Sequence, residues 1–264
     1  MGNPFDYEFM RNAFIAATIV AVVAGAIGYL LVMRGETFAG HALAHVGFPG
    51  ATGAALVGLS PLVGLVVFTV AAGLGIGVLG ERANRDVAIG MVLTLSLGLG
   101  LLFLHFYTSY AGMATALLFG SVLSIPASTL VFLAIVALIT LGALAVVARP
   151  LTFASLQPEL AEARGVPVDR LSATFMIIVA LATAEAIQIV GVLLVFALMV
   201  TPAATAIRLT SNIATGSLLS ITIALVVAWA SLLLAFYTDW PTSFWITALG
   251  VVFYLSTYIV RRGT

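Results

Sequence analysis

The chain has 264 residues, 62% of them hydrophobic and only 8% charged, with a mean hydropathy of +1.23 and a formal net charge of zero. A soluble domain carries roughly 25% charged residues, so this composition excludes a soluble domain of any fold. Continuous apolar runs beyond the roughly 18 residues that cross a bilayer exclude a transmembrane barrel too, since barrel segments alternate over about ten residues.

The expectation is therefore an all-α, polytopic integral membrane protein whose first partner is the lipid bilayer; no nucleic-acid partner is expected. There is no cysteine, which removes disulfides and thiolate metal ligands. The first span covers about 13–33, behind Asp6, Glu8 and Arg11, and ends at Arg34. A signal peptide would have a basic start and a shorter apolar core, so no cleavage is expected. The second span, about 38–60, carries His41 and His45. The third, about 62–79, ends in the polar turn 80–86. The fourth, about 87–107, closes on the aromatic cluster Phe103, Phe106, Tyr107 and Tyr110. A shorter apolar piece at 112–126 dips into the membrane or lies on it, and the fifth span, about 128–148, ends at Arg149.

The only long polar segment follows, at 149–170. Arg149, Glu159, Glu162, Arg164, Asp169 and Arg170 fall within it. Pro158 suits the first position of a short helix, Glu159 its first turn and Arg164 its last, with Gly165 as the stop and Pro167 just beyond. Spans at about 171–188 and 191–208 come next, separated by little more than Gly191. The last two, about 214–236 and 244–260, are joined by Tyr237-Thr238-Asp239-Trp240-Pro241 and finish at Arg261 and Arg262.

Orientation rests on arginine alone, because lysine is absent. With nine spans, every arginine except Arg11 falls on one side, which the positive-inside rule makes cytoplasmic. The amino terminus is then outside, the carboxyl terminus inside and 149–170 cytoplasmic. Counting 112–126 as a span, or merging 171–208 into one, moves the total between eight and ten; the sorting of the arginines favours about nine.

Ionisable groups inside spans are costly and are functional candidates by default. Four qualify: His41, His45, His105 and Glu185. His41 and His45 stand at i and i+4, one turn apart on one helix face. Pro49 lies four residues after His45, so its missing N–H leaves the His45 carbonyl without its intrahelical donor and bends the segment. At about 1.5 Å per residue, His45 lies on the order of 16 Å from Arg34, near mid-bilayer, and Glu185 on the order of 22 Å from Arg170, in the outer half. Two imidazoles and a carboxylate at similar depth form a plausible ligand set for a borderline divalent cation such as zinc. The alternative is that the histidines only hydrogen-bond a neighbouring helix, worth roughly 1 kcal/mol, and that Glu185 bonds Gln188 or a backbone carbonyl. The small residues along 40–55 serve either close helix packing or a thin path for an ion, and the sequence does not separate the two. Asp239, in an outer loop, and His105, beside the outer aromatics, are candidates for contact with an incoming ion or partner.

Enzyme motifs are missing. There is no His-Glu-x-x-His, no Gly-x-Ser-x-Gly elbow and no Gly-x4-Gly-Lys-Ser/Thr phosphate loop. The expectation is a transport subunit and not an enzyme; if ATP drives transport, a separate ATPase chain hydrolyses it.

The motifs resemble those of the permease subunits of bacterial ABC importers for zinc, manganese and iron, most closely the zinc-uptake permeases. The likeness runs from about Tyr29 to the last span. The family's Gly-Asp-x-Leu-x-His stands as Gly40-His41-Ala42-Leu43-Ala44-His45, with Pro49-Gly50 after it. Asp86-Val87-Ala88-Ile89-Gly90, Leu118-Phe119-Gly120, Val190-Gly191-Val192-Leu193-Leu194 and Thr201-Pro202-Ala203-Ala204-Thr205-Ala206 follow in family order. The resemblance implies a single permease domain over 1–264 in the bacterial cytoplasmic (inner) membrane. It pairs with a second copy of itself, with ABC ATPase subunits and with an extracellular or periplasmic metal-binding protein. It also implies that 149–170 is the coupling segment, with Pro158, Glu159, Leu160, Ala161, Glu162, Ala163, Arg164 and Gly165 seated in a groove of the ATPase. His45 matches the family's metal-contacting histidine, whereas His41 replaces its aspartate, a change from a hard oxygen to imidazole that shifts preference from manganese toward zinc. Glu185 matches no family position and could restore the lost carboxylate. Zinc is the expected cargo, with manganese, iron or a metal chelate as alternatives and no permanently bound cofactor. Readings from other classes are a metal-dependent intramembrane enzyme and a proton-driven secondary carrier.

Overall fold

Every regular element among the described residues is a helix, as the long apolar runs require. The computed structural model describes residues 3–82, 84–106, 120, 125–192 and 195–262. After a 3-10 turn at Pro4–Asp6 come α1 (Glu8–Met33), α2 (Thr37–Leu56), α3 (Pro61–Arg82), α4 (Arg85–Phe106), α5 (Ala127–Leu156), α6 (Pro158–Ala163), α7 (Val168–Val190), α8 (Val195–Leu209), α9 (Ile213–Thr238) and α10 (Thr242–Arg262). Seven of them, α1, α3, α4, α5, α7, α9 and α10, are long and apolar enough to cross a membrane. With α2, whose glycines and histidines dilute its hydropathy, and the 15-residue apolar α8, they form a multi-pass membrane protein of about nine helices. The expected piece at 112–126, like Tyr107, Tyr110, Leu118, Phe119, Leu193 and Leu194, lies largely or wholly outside the described residues.

α1 is the most enclosed of these spans, packed by α5, α7, α8 and α9. Helices in a membrane gain little from hiding apolar surface from each other, so close backbone approach carries the association. Gly25 provides it toward α9, where Ser220 Oγ donates to the Gly25 carbonyl at 2.8 Å and an added Cβ would meet Ile221 Cα at 2.6 Å. Gly28 does the same against the backbone of Met199 in α8. At the arginine-rich end, Arg208 of α8 donates to Thr257 Oγ1 at 3.0 Å and lies 3.7 Å from the Tyr258 ring centre, which fastens α10 to α8. A second group, α2 with α3, α4 and α7, packs around the histidine helix.

Several boundaries differ from the sequence reading. α5 does not stop at Arg149 but continues through Pro150 to Leu156. At about 1.5 Å per residue its 30 residues reach roughly 45 Å, beyond a hydrocarbon core of about 30 Å, so its polar-flanked end projects from the membrane as helix. α8 starts at Val195 and not at 191, because α7 ends on Gly191 at φ +83°, a left-handed position that stops the helix. α3 continues to Arg82 and α4 starts at Arg85, both inside the polar turn expected at 80–86, and the Asn84 side chain accepts from the Asp86 N–H at 3.0 Å.

Candidate metal-passage site

α2 runs unbroken through Pro49. The proline supplies no donor for the His45 carbonyl, and Thr52 Oγ1 donates to the Phe48 carbonyl at 3.0 Å, within 3.3 Å also of the Pro49 carbonyl. One side of the helix is nearly bare. A Cβ at Gly50 would lie 2.5 Å from the Gly64 carbonyl oxygen of α3, and one at Gly53 would lie 2.8 Å from the Phe103 ring of α4. Gly47 approaches Ile187 of α7 and Leu65 of α3 in the same way. These glycines are thus used for close packing, one of the two roles the sequence left open. At 100° per residue Gly50 stands about 180° from His41, so the packed side is the back of the histidine face.

On that other face the two imidazoles stand together, ring centres 4.8 Å apart and planes at 76°. His41 also meets Phe196 of α8 edge-on at 5.3 Å, and Phe48 continues the stripe toward Gly100 of α4. His41, His45 and Phe48 are each partly buried, whereas Ala39, Ala42, Leu43 and Val46 around them are fully buried. The i, i+4 spacing has therefore done what the sequence predicted: both rings present to one place.

No group of three or more His, Cys, Asp or Glu side chains able to hold a metal forms among the described residues. By itself the pair offers two nitrogen donors, fewer than the four of a tetrahedral metal shell. A partial shell suits an ion in passage, since a conducting site must bind weakly enough to release. Glu185 does not join it. Glu185 is 1% exposed on α7, with neither carboxylate oxygen hydrogen-bonded among the described residues, on a face shared with buried Ile178 and Ala182. Met176 and Ala180 of the same helix pack on Gly73 of α3 from the other side. The Gln188 side chain, its expected partner, lies outside those described. His105 is exposed in the last turn of α4 against Phe106, ring centres 5.4 Å apart, and is likewise separate from the pair. Asp239 caps α9 in the left-handed conformation (φ 57°) and lines an open cleft of about 460 Å³ with Phe9, Phe236, Trp240 and Pro241.

Within the polar segment, α6 forms where Pro158 and Glu159 predicted a helix start, and Gly165 ends it at φ +76°, its N–H donating to the Glu162 carbonyl at 2.8 Å. Pro158, Glu159, Leu160, Glu162 and Ala163 are exposed, Ala161 is buried, and exposed Arg164 lies 5.8 Å from the Phe153 ring centre, so α6 is pinned to the projecting end of α5 by one side. Arg34 and Glu36 were missed as interacting residues by the sequence reading. They make a buried ion pair at 2.9 Å in the α1–α2 turn, and the signal was two opposite charges on either side of Gly35.

Comparison with known proteins gives one consistent picture. The model of the ABC 3 transport family matches residues 6–261. The manganese transport system membrane protein MntC of Listeria monocytogenes is 31% identical over 210 residues, 79% of this chain and 75% of that protein. The manganese import system permease protein ScaB of Streptococcus parasanguinis is 27% identical over 257 residues, 97% of this chain and 91% of the other. The solved structure of PsaBC from Streptococcus pneumoniae in complex with Fab superposes with a TM-score of 0.85 at 26% identity, covering 96% of this chain and 92% of that one. The chain belongs to the ABC 3 transport family.

Proposed function

We propose that this member of the ABC 3 transport family is the membrane-spanning permease of an ATP-driven bacterial importer of divalent transition-metal ions. The observation that carries the reading is the partly exposed His41–His45 pair, set on the face of α2 opposite the close contact of Gly50 with α3. Two imidazoles from one chain complete only half a shell, so a second copy facing the first across this stripe would supply the rest. Glu185 would enter only in a conformation that turns its buried face of α7 toward the path.

Ligand chemistry favours zinc: two neutral imidazoles bind zinc far better than manganese, which prefers carboxylate and water. Manganese is the second reading, favoured by the names of the MntC and ScaB relatives. The exposed helix α6 on its projecting stalk is the proposed seat of the ATPase, with residues 149–170 as the coupling segment. The cleft at Asp239, and His105, are the proposed outer contacts for a metal-delivering protein. In this reading the arginine-rich end is cytoplasmic, the amino terminus is outside, and the membrane is the inner one.

The test is uptake into proteoliposomes carrying this chain with its ATPase and delivery protein. ATP-dependent accumulation of zinc, outcompeting manganese, supports the first reading. Accumulation of manganese over zinc selects the second. Uptake that persists without ATP and collapses with the proton gradient, or no metal uptake at all, overturns both.

A further inference from the structure

One guanidinium joins four helices at the arginine-rich end of the bundle. Arg34 is the C-terminal cap of α1, and Glu36 the N-terminal cap of α2, with Gly35 at φ +70° reversing the chain between them. Arg34 Nη2 lies 2.9 Å from Glu36 Oε1 and donates to Ser172 Oγ of α7 at 2.8 Å, while Nη1 donates to Ser155 Oγ of α5 at 2.6 Å. The group also lies 5.4 Å from the ring centre of Phe175. Both side chains of the ion pair are buried, at 8% and 6% exposure.

Two features make this cluster more than a staple. A buried ion pair is no more stabilising than well-packed apolar residues would be, so stability alone does not account for it. Its three acceptors also lie on particular elements. Ser155 and Ser172 stand on the two helices from which α6 hangs, one on each side of it. Arg164 over Phe153, two residues before Ser155, returns the far end of α6 to α5. Glu36 opens the helix that carries His41, about 7.5 Å further along its axis. The planar fork of arginine can hold all three acceptors at once in a fixed geometry, which a lysine ammonium on its flexible stem cannot.

We propose that Arg34 is a positioning residue through which displacement of α6 is passed to α2, and so to the histidine pair. This rests on the permease reading above and adds the joint between its two ends. Movement of α5 and α7 under α6 pulls the guanidinium, the guanidinium holds Glu36, and Glu36 sets the inclination of α2.

The experiment measures metal uptake and ATP hydrolysis in parallel, in proteoliposomes of the full transporter. Arg34→Gln is expected to retain ATP hydrolysis while the metal moved per ATP falls about tenfold. Ser155→Ala with Ser172→Ala, which leaves the Arg34–Glu36 pair intact and cuts only its tether to α5 and α7, is expected to lower the same ratio. Arg34→Lys is expected to restore it only in part. A purely structural role would lower hydrolysis and uptake together and leave their ratio unchanged. That result overturns the proposal, as does an unchanged ratio in the serine double variant or a failure of both variants to assemble. A wild-type transporter that moves no metal condemns the permease reading instead.

Discussion

The glycine-packed back of α2 makes a prediction with a definite sign. An alanine methyl at Gly50 would sit 2.5 Å from the Gly64 carbonyl oxygen and 2.6 Å from Phe68 Cβ, where ordinary contacts begin at 3.4 Å. The first obstacle is backbone, so α2 and α3 must part by on the order of 1 Å, a gap that forfeits a quarter to a half of the local dispersion energy. Such overpacking costs about 1–3 kcal/mol, against about 1 kcal/mol regained from the better helix propensity of alanine. Gly50→Ala is therefore expected to destabilise the protein by roughly 1 kcal/mol. Gly98→Ala in α4, where a Cβ meets nothing within 4 Å, keeps only the propensity gain and is expected to stabilise by about 0.5–1 kcal/mol. Reversible unfolding in mixed micelles, followed by fluorescence of Trp229, Trp240 and Trp245, reads both variants against the wild type. If Gly50→Ala proves as stable as Gly98→Ala, close α2–α3 packing is not what presents the histidine face.

The remaining predictions concern transport. His45→Ala, and separately His41→Ala, is expected to lower the rate of metal uptake about tenfold or more while the complex still assembles and hydrolyses ATP; uptake unchanged in both removes the pair from the path. His41→Asp replaces an imidazole with a carboxylate and is expected to raise manganese uptake relative to zinc, measured by isotope competition, and a ratio that stays put contradicts the ligand role of His41. Leu160→Arg puts a charge on the exposed leucine of α6. It is expected to reduce co-purification of the ATPase without unfolding the permease, and full retention of the ATPase would place the docking surface elsewhere.

The span positions were legible because hydropathy over some twenty residues reports the bilayer directly, and α1, α3, α4, α9 and α10 lie where it put them. The short helix α6 was legible for a different reason: Pro158 and Gly165 are local punctuation, and each acts within its own turn. The continuation of α5 past Arg149 was not, because a charge and a proline read as an end, while the exit of that helix into water lets both be accommodated. At the site, the i, i+4 spacing placed His41 and His45 on one face from helix geometry alone. What lies behind that face depends on contacts between α2 and residues such as Gly64 and Phe103, distant in sequence, which no local pattern encodes. The same holds for Glu185. Its burial, and its absence from any metal-capable group with the histidines among the described residues, depend on how α7 packs against its neighbours. The Arg34 cluster was hidden in plain charges, since Ser155 and Ser172 become its partners only when α5 and α7 are brought together around α1.

X-ray absorption at the zinc edge, on the assembled transporter trapped with its cargo in transit, bears most directly on the histidine pair. A shell of imidazole nitrogen at about 2.0–2.1 Å that disappears in the His41→Ala, His45→Ala double variant is the predicted result. A spectrum that is the same in the double variant, or one with no imidazole in any trapped state, would contradict it.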